Sequence, residues 1–250
     1  MDASICIMNE SPSRATHNIG RGVLLIGPGR YFGMEILHRF ALEGFSIGVI
    51  SRTAERIEHL RSHLQLPSSL NLSAEVADVT QEAELKLAVN RVAESIGSVD
   101  CLIYNPKVSI SGSGLTTSPD ELRYSLDVNV VGALVAVQAA LPYLQLASRP
   151  CVILTGGGFK DRPDFERFAL SVGKSGIHAV SRALVGPLTS RGIRIKTIVI
   201  DGYVRAGGQI EPSDVADYFW RVFTSQKRQV FRYSSSSNSG DQLPFPDFCE

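Results

Sequence analysis

The chain of 250 residues has few cysteines, no excess of charge and no long apolar run. Its four cysteines stand at positions 6, 101, 151 and 249, without the spacings that a zinc site or a disulfide framework requires. Cys101 and Cys151 open apolar, strand-like runs in which a thiol behaves as a small hydrophobe, so a reducing, cytoplasmic setting is expected. Basic and acidic residues number 25 each and the net charge is zero; no field draws the chain to nucleic acid or to an anionic membrane surface. Nowhere do about 18 apolar residues follow one another, and the first twenty residues hold no apolar stretch of signal-peptide length. Neither export nor membrane insertion is expected. The G-x-S-x-G elbow of a hydrolase is missing. The histidines, His17, His38, His59, His63 and His178, are dispersed. His59 and His63 lie one helical turn apart, but no carboxylate or thiol pattern joins them, so no metal site is expected. These absences leave a small molecule as the expected partner.

What is present is alternation. Short runs rich in Val, Ile and Leu occur at 22–27, 46–50, 71–78, 99–105, 150–155 and 193–200, and between them 31–44, 53–65, 80–96, 118–147 and 166–190 carry apolar residues at helical spacing. Strands that are apolar throughout are buried on both faces. The expected fold is therefore α/β: a Rossmann-type, doubly wound parallel sheet with helices on both faces and right-handed crossovers. One domain is expected over 21–232, between a flexible N-terminal segment, 1–20, and a serine- and proline-rich flexible tail, 233–250.

The first strand runs into Gly27-Pro28-Gly29-Arg30-Tyr31-Phe32-Gly33 and then a helix. In that context glycines let the backbone approach a pyrophosphate while the helix N-terminus offers free N–H groups. The second strand ends in Ser51-Arg52, where an NAD-binding protein places an acid on the ribose hydroxyls. An arginine there, with Arg30 as a second cation, suits a 2′-phosphate, so NADP(H) is the expected cofactor. Asp78, closing the third strand, reads equally as an adenine contact and as the cap of the following helix.

Together with Asn105, Asn129, Lys174 and Gly202, these residues resemble the short-chain dehydrogenase/reductase family over about residues 20 to 232. The resemblance implies a dinucleotide-binding oxidoreductase fold, with Lys174 on the nicotinamide ribose and Asn129 holding a water chain through a distortion of its helix. It also implies a homodimer or homotetramer formed through the helices at 118–147 and 166–190. The family's reductases use a serine, a tyrosine and a lysine. Here the tyrosine position falls on Leu170, and the serine position aligns with Gly156, one residue after Thr155. Thr155 takes over only if the strand end bulges, because neighbouring strand residues face opposite sides. Tyr31 stands for the middle glycine of the phosphate turn, Tyr104-Asn105-Pro106-Lys107 for the family's Asn-Asn-Ala-Gly, and only about nine residues separate Gly202 from the next helix near Pro212. Two functions follow. One is an NADP(H)-dependent oxidoreductase acting on a small carbonyl, alcohol or enone with another proton donor, the candidates being Thr155, Ser171, Tyr203 and Asp161. The other is an NADP(H)-binding protein without redox turnover, serving as a sensor, a partner subunit or a non-redox cyclase or isomerase.

Overall fold

A computed structural model describes residues 21–29, 32–70, 72–226 and 229–234. Arg30, Tyr31, His17 and both expected flexible segments, apart from Tyr233 and Ser234, lie outside the described residues. Seven parallel strands are ordered β3-β2-β1-β4-β5-β6-β7. They are β1 (Gly22–Ile26), β2 (Ser46–Ser51), β3 (Leu72–Val76), β4 (Cys101–Tyr104), β5 (Cys151–Gly157), β6 (Arg194–Asp201) and β7 (Val230–Ser234). The helices are α1 (Gly33–Leu42), α2 (Ala54–His63), α3 (Glu82–Ile96), α4 (Pro119–Leu126), α5 (Gly132–Leu144), α6 (Phe168–Ala183), α7 (Val185–Thr189) and α8 (Pro212–Thr224). The expected doubly wound α/β fold is therefore present.

Alternate residues of the central strands feed two cores. Leu24, Leu102, Val152 and Leu154 pack with α3 and α5; Val23, Leu25, Ile103 and Ile153 pack with α1 and α8. One connection departs from the expected winding. The chain moves in opposite directions across the sheet at β1–α1–β2 and β6–α8–β7, yet α1 and α8 share one layer, so these two crossovers have opposite hands. An aromatic cluster of Phe40, Phe45, Trp220 and Phe223, with mostly edge-to-face contacts, joins α1 to α8.

The helical run through α4 and α5 begins at a capping box, Ser118 with Glu121, followed by Pro119 at the first helical position. It passes through a π-helical turn, Asp127–Val131, before continuing. By length and a mean hydropathy of 1.5 the run matches a membrane span, but half of that window is buried, against the sheet, α3 and α6. It is a core helix by packing. The order of the strands reverses between β1 and β4, and the loops leaving their C-terminal ends diverge there, which opens the crevice of the fold.

Candidate functional site

The crevice begins at the glycine turn. Gly27 and Gly29 have φ of 72° and 65°, values that favour glycine. A Cβ on Gly33 would lie 1.9 Å from the Pro28 carbonyl oxygen; the turn therefore folds back onto the first residue of α1, and only a hydrogen fits. Asn105 follows β4 and donates from Nδ2 to the Gly27 carbonyl at 2.7 Å, while its backbone N–H donates to Ile26. Its side chain thus holds the glycine turn in place from below.

A cleft of about 330 Å³ extends from this turn across the ends of β2, β3 and β4. Gly27, Gly29, Ser51, Arg52 and Asp78 all line it, so five of the expected cofactor residues come together. Ser51 is buried, whereas the exposed Arg52 donates from a terminal nitrogen to the Tyr124 hydroxyl at 3.1 Å. Asp78 accepts from both the N–H and the hydroxyl of Thr80 at 2.9 Å, a local turn that starts the approach to α3 while its residue still faces the cleft. Sequence reasoning did not single out Arg56 and Tyr124, which also line the cleft. Arg56 was legible as a cation one turn beyond Arg52 on α2. Tyr124 comes from a distant helix, and no local signal marks it.

Lys174 lies at the end of β5. Its side chain runs from α6 beside Gly157, where an added Cβ would meet Cγ, Cδ and Cε at 3.5–3.7 Å, and Nζ donates to the Thr155 carbonyl at 2.9 Å. The residue is 4% exposed. Burial, and secondarily the charge of Lys107, pull the ammonium down to about 7. Asn129, fully buried, sits in the π-helical turn. Its Nδ2 donates to the Ser125 carbonyl at 2.9 Å, and its Oδ1 has no partner. Gly173 lets α6 approach this turn, since a Cβ there would stand 2.9 Å from that of Asn129. Tyr104, also fully buried, donates to the Val128 carbonyl at 2.6 Å; burial and then the Asp78 charge push its phenol well above the ordinary value, so it ties β4 to the turn and keeps its proton.

The expected donors fare differently. β5 pairs with β6 in unbroken register through Thr155↔Ile198, Gly156↔Val199 and Gly157↔Ile200, so no bulge turns Thr155 to the face of Leu154 and Gly156. Its hydroxyl is buried and without a partner. Ser171 is engaged with the backbone of Asp164, accepting from its N–H at 3.0 Å. Burial raises the Asp161 carboxyl, but Lys160 and Arg232 pull it below its ordinary value; both form ion pairs with it, and it is ionised. Tyr203 is 73% exposed and Leu170 only 3%. Gly202 leads into the short connection before α8, as expected. Among the described residues no cluster of three or more His, Cys, Asp or Glu is placed to hold a metal.

Solved structures share this architecture. A short-chain oxidoreductase of Pseudomonas aeruginosa, described as containing an atypical catalytic center and bound to NADPH, superposes with a TM-score of 0.78 at 16% identity, covering 89% of this chain and 98% of that one. A metagenomic short-chain oxidoreductase in complex with NADP gives a TM-score of 0.73 at 21% identity over 85% and 95% of the two chains. Among curated proteins, a 3-dehydrosphinganine reductase of Arabidopsis thaliana is 25% identical over 178 residues, 70% of this chain and 53% of the relative. A meso-2,3-butanediol dehydrogenase of Serratia marcescens is 26% identical over 176 residues, 70% and 68% respectively. The chain thus spans about half the length of the Arabidopsis relative. A family model described as short chain dehydrogenase matches residues 21–211, from β1 to the threshold of α8, and the chain belongs to that family.

Proposed function

We propose that this chain binds NADP(H) and reduces or oxidises a small carbonyl, alcohol or enone without the tyrosine that the resembling enzymes use. The observation that carries the cofactor reading is the cleft itself. At one end is a backbone cradle, Gly27–Gly29 against Gly33, that any Cβ at 33 would fill. At the other, the N-terminus of α2 presents Arg52, Thr53 and Arg56. Thr53, the N-cap residue, makes no side-chain capping bond, which leaves its hydroxyl and the first amides of α2 open to an anion. Gly27, Gly29 and Gly33 would hold the pyrophosphate of a dinucleotide, and Arg52 and Arg56 would hold its 2′-phosphate.

The residues present fit that group. The cofactor supplies a hydride to a carbonyl carbon, and the chain's own groups bind, orient and protonate. Lys174 and the unpartnered Asn129 Oδ1 would serve the nicotinamide end. The buried Leu170 also favours a second reading, nucleotide binding without turnover, because a hydrocarbon moves no proton. A homodimer or homotetramer in the cytoplasm remains part of the proposal. Calorimetric titration of the full chain with NADPH and NADH, followed by NADPH oxidation with carbonyl and enone panels, separates the readings. Binding with turnover supports the oxidoreductase, binding without it supports the second reading, and no binding of either nucleotide removes both.

A further inference from the structure

Hydride arriving at a carbonyl carbon leaves charge on the oxygen, which must take a proton. The hydroxyl of Ser171 is tied to Asp164, Asp161 is held as an anion, and Tyr104 donates to Val128. Thr155 stays on the wrong face of a regular strand, and Tyr203 stands 73% exposed on a loop. Gly156 and Gly157 put no side chain at the end of β5. Lys107 and Tyr124 line the cleft with Arg52 and Asp78; beside the end of β5 the titratable group left is the amine of Lys174, hydrogen-bonded to the Thr155 carbonyl and with no carboxylate paired with it among the described residues.

We propose that Lys174 is itself the proton donor, its ammonium delivering a proton to the substrate oxygen from beside the bare Gly157 backbone and one helical turn from Leu170. This rests on the hydride-transfer reading above. The step balances. The carbon gains a C–H bond from the hydride, the π electrons of C=O move to oxygen, oxygen gains an O–H bond as one N–H bond of Nζ breaks, and the resulting neutral amine recovers its proton from solvent. In alcohol oxidation the neutral amine accepts the proton instead. A donor works best when it releases its proton near the working pH. Burial and Lys107, the charged group on the segment between β4 and α4 that acts on this amine, place it there. The other neighbours are uncharged: the Thr155 carbonyl of β5, and Asn129 of the π-helical turn, packed on Gly173.

The test uses the full chain with NADPH and 9,10-phenanthrenequinone as the carbonyl probe. Lys174→Arg keeps a cation and N–H groups for a ribose but holds its proton at neutral pH. It is expected to retain NADPH affinity within a few-fold while kcat falls by about 10² to 10⁴ and the alkaline limb of its pH profile disappears. In Lys174→Ala, added methylamine and ethylamine are expected to restore turnover at rates that follow the acidity of the added ammonium ion. Independently of turnover, NMR of the nucleotide-free chain labelled at lysine Cε is expected to show one lysine titrating near neutrality that vanishes in Lys174→Met. A Lys174→Arg chain as fast as the parent, or no lysine titrating below about pH 9, overturns the assignment and leaves hydride transfer standing. A parent chain that oxidises no NADPH removes the hydride-transfer reading, and the donor assignment with it.

Discussion

Replacing Arg52 with glutamine is expected to weaken NADPH and spare NADH. In the free protein Arg52 makes one exposed hydrogen bond, to the neutral Tyr124 hydroxyl at 3.1 Å, a contact worth about 0.5–1.5 kcal/mol net. Transfer of the guanidinium to a phosphate exchanges that contact for charge-assisted bonds of about 1.5–3 kcal/mol. The difference, about 1–2 kcal/mol, corresponds to roughly a 5- to 30-fold increase in Kd for NADPH. NADH lacks the phosphate, so its Kd is expected to stay within about two-fold. Arg56 shares the site, and the double variant is expected to lose less than the sum of the singles because both cations meet one anion. Tyr124→Phe frees Arg52 from its present partner and is expected to leave NADPH binding equal or tighter. Calorimetry at low and high salt reads all of this, with the gap between the nucleotides narrowing as salt screens it. Equal losses for NADPH and NADH, or an unchanged NADPH affinity in the double variant, would refute the reasoning.

Three further outcomes follow from the packing. Gly33→Ala places a methyl 1.9 Å from the Pro28 carbonyl, so the glycine turn and the start of α1 must part; a stability loss of about 1–3 kcal/mol is expected in urea unfolding, with at least ten-fold weaker binding of both nucleotides. Tyr104→Phe leaves the buried Val128 carbonyl without its donor and is expected to cost about 1–3 kcal/mol in the same assay, and an unchanged midpoint would show that the carbonyl finds another partner. For Lys174, whose folded value of about 7 lies below the ordinary 10.5, the unfolded chain binds a proton that the folded chain has released between those limits. The parent is therefore expected to gain on Lys174→Met by up to about 1.4 kcal/mol per pH unit from pH 7 toward 10, whereas a pH-independent difference between the two would mean that the amine stays charged in the fold.

Five of the seven strands were legible because they are mostly buried and rich in Val, Ile and Leu, and β3, partly buried at one edge of the sheet, was legible as a short run between two stretches of helical spacing. β7 was not. All five of its residues are only partly buried, it lies at the sheet edge, and it runs straight into a serine tract that reads as tail. The alternation of Phe231 and Tyr233 with Arg232 was its one signal. Helix limits were read closely, but the π-helical turn at Asp127–Val131 leaves no mark in periodicity over five residues. The glycine turn and Arg52 were legible because each follows a strand end, whereas Asn105 and Lys174, the latter inside α6, were marked by the family resemblance. Tyr124 was not legible, since its element meets α2 only when the sheet brings the α4 end of one crossover beside the α2 end of another. The roles of Ser171 and Thr155 also needed the structure. A hydroxyl's partner and a strand's regularity are tertiary facts.

The two buried lysines show how position separates a supporting group from a reactive one. Lys196, 2% exposed, donates to the Val222 and Ser225 carbonyls, both at 2.6 Å, and lies 5.2 Å from the centre of the Phe231 ring. Its charge thus meets the open carbonyls at the end of α8, where a cation is favoured by the helix dipole. Burial pulls this amine down as well, but the fold has provided it with acceptors. Lys174 is buried as deeply, with one carbonyl as its bonded acceptor and a second cation, Lys107, acting against its charge. A buried ammonium so placed is destabilising by its desolvation alone. A further uncompensated atom, Asn129 Oδ1, belongs to the π-helical turn that packs on Gly173, the residue before Lys174 in α6. Unmet polar groups of this kind are rare in folded interiors. A buried ammonium with one carbonyl acceptor beside an element with an unmet amide oxygen, where Lys196 has two carbonyls and an aromatic face, is what a site that receives polar ligand atoms requires, and stability alone would have filled it.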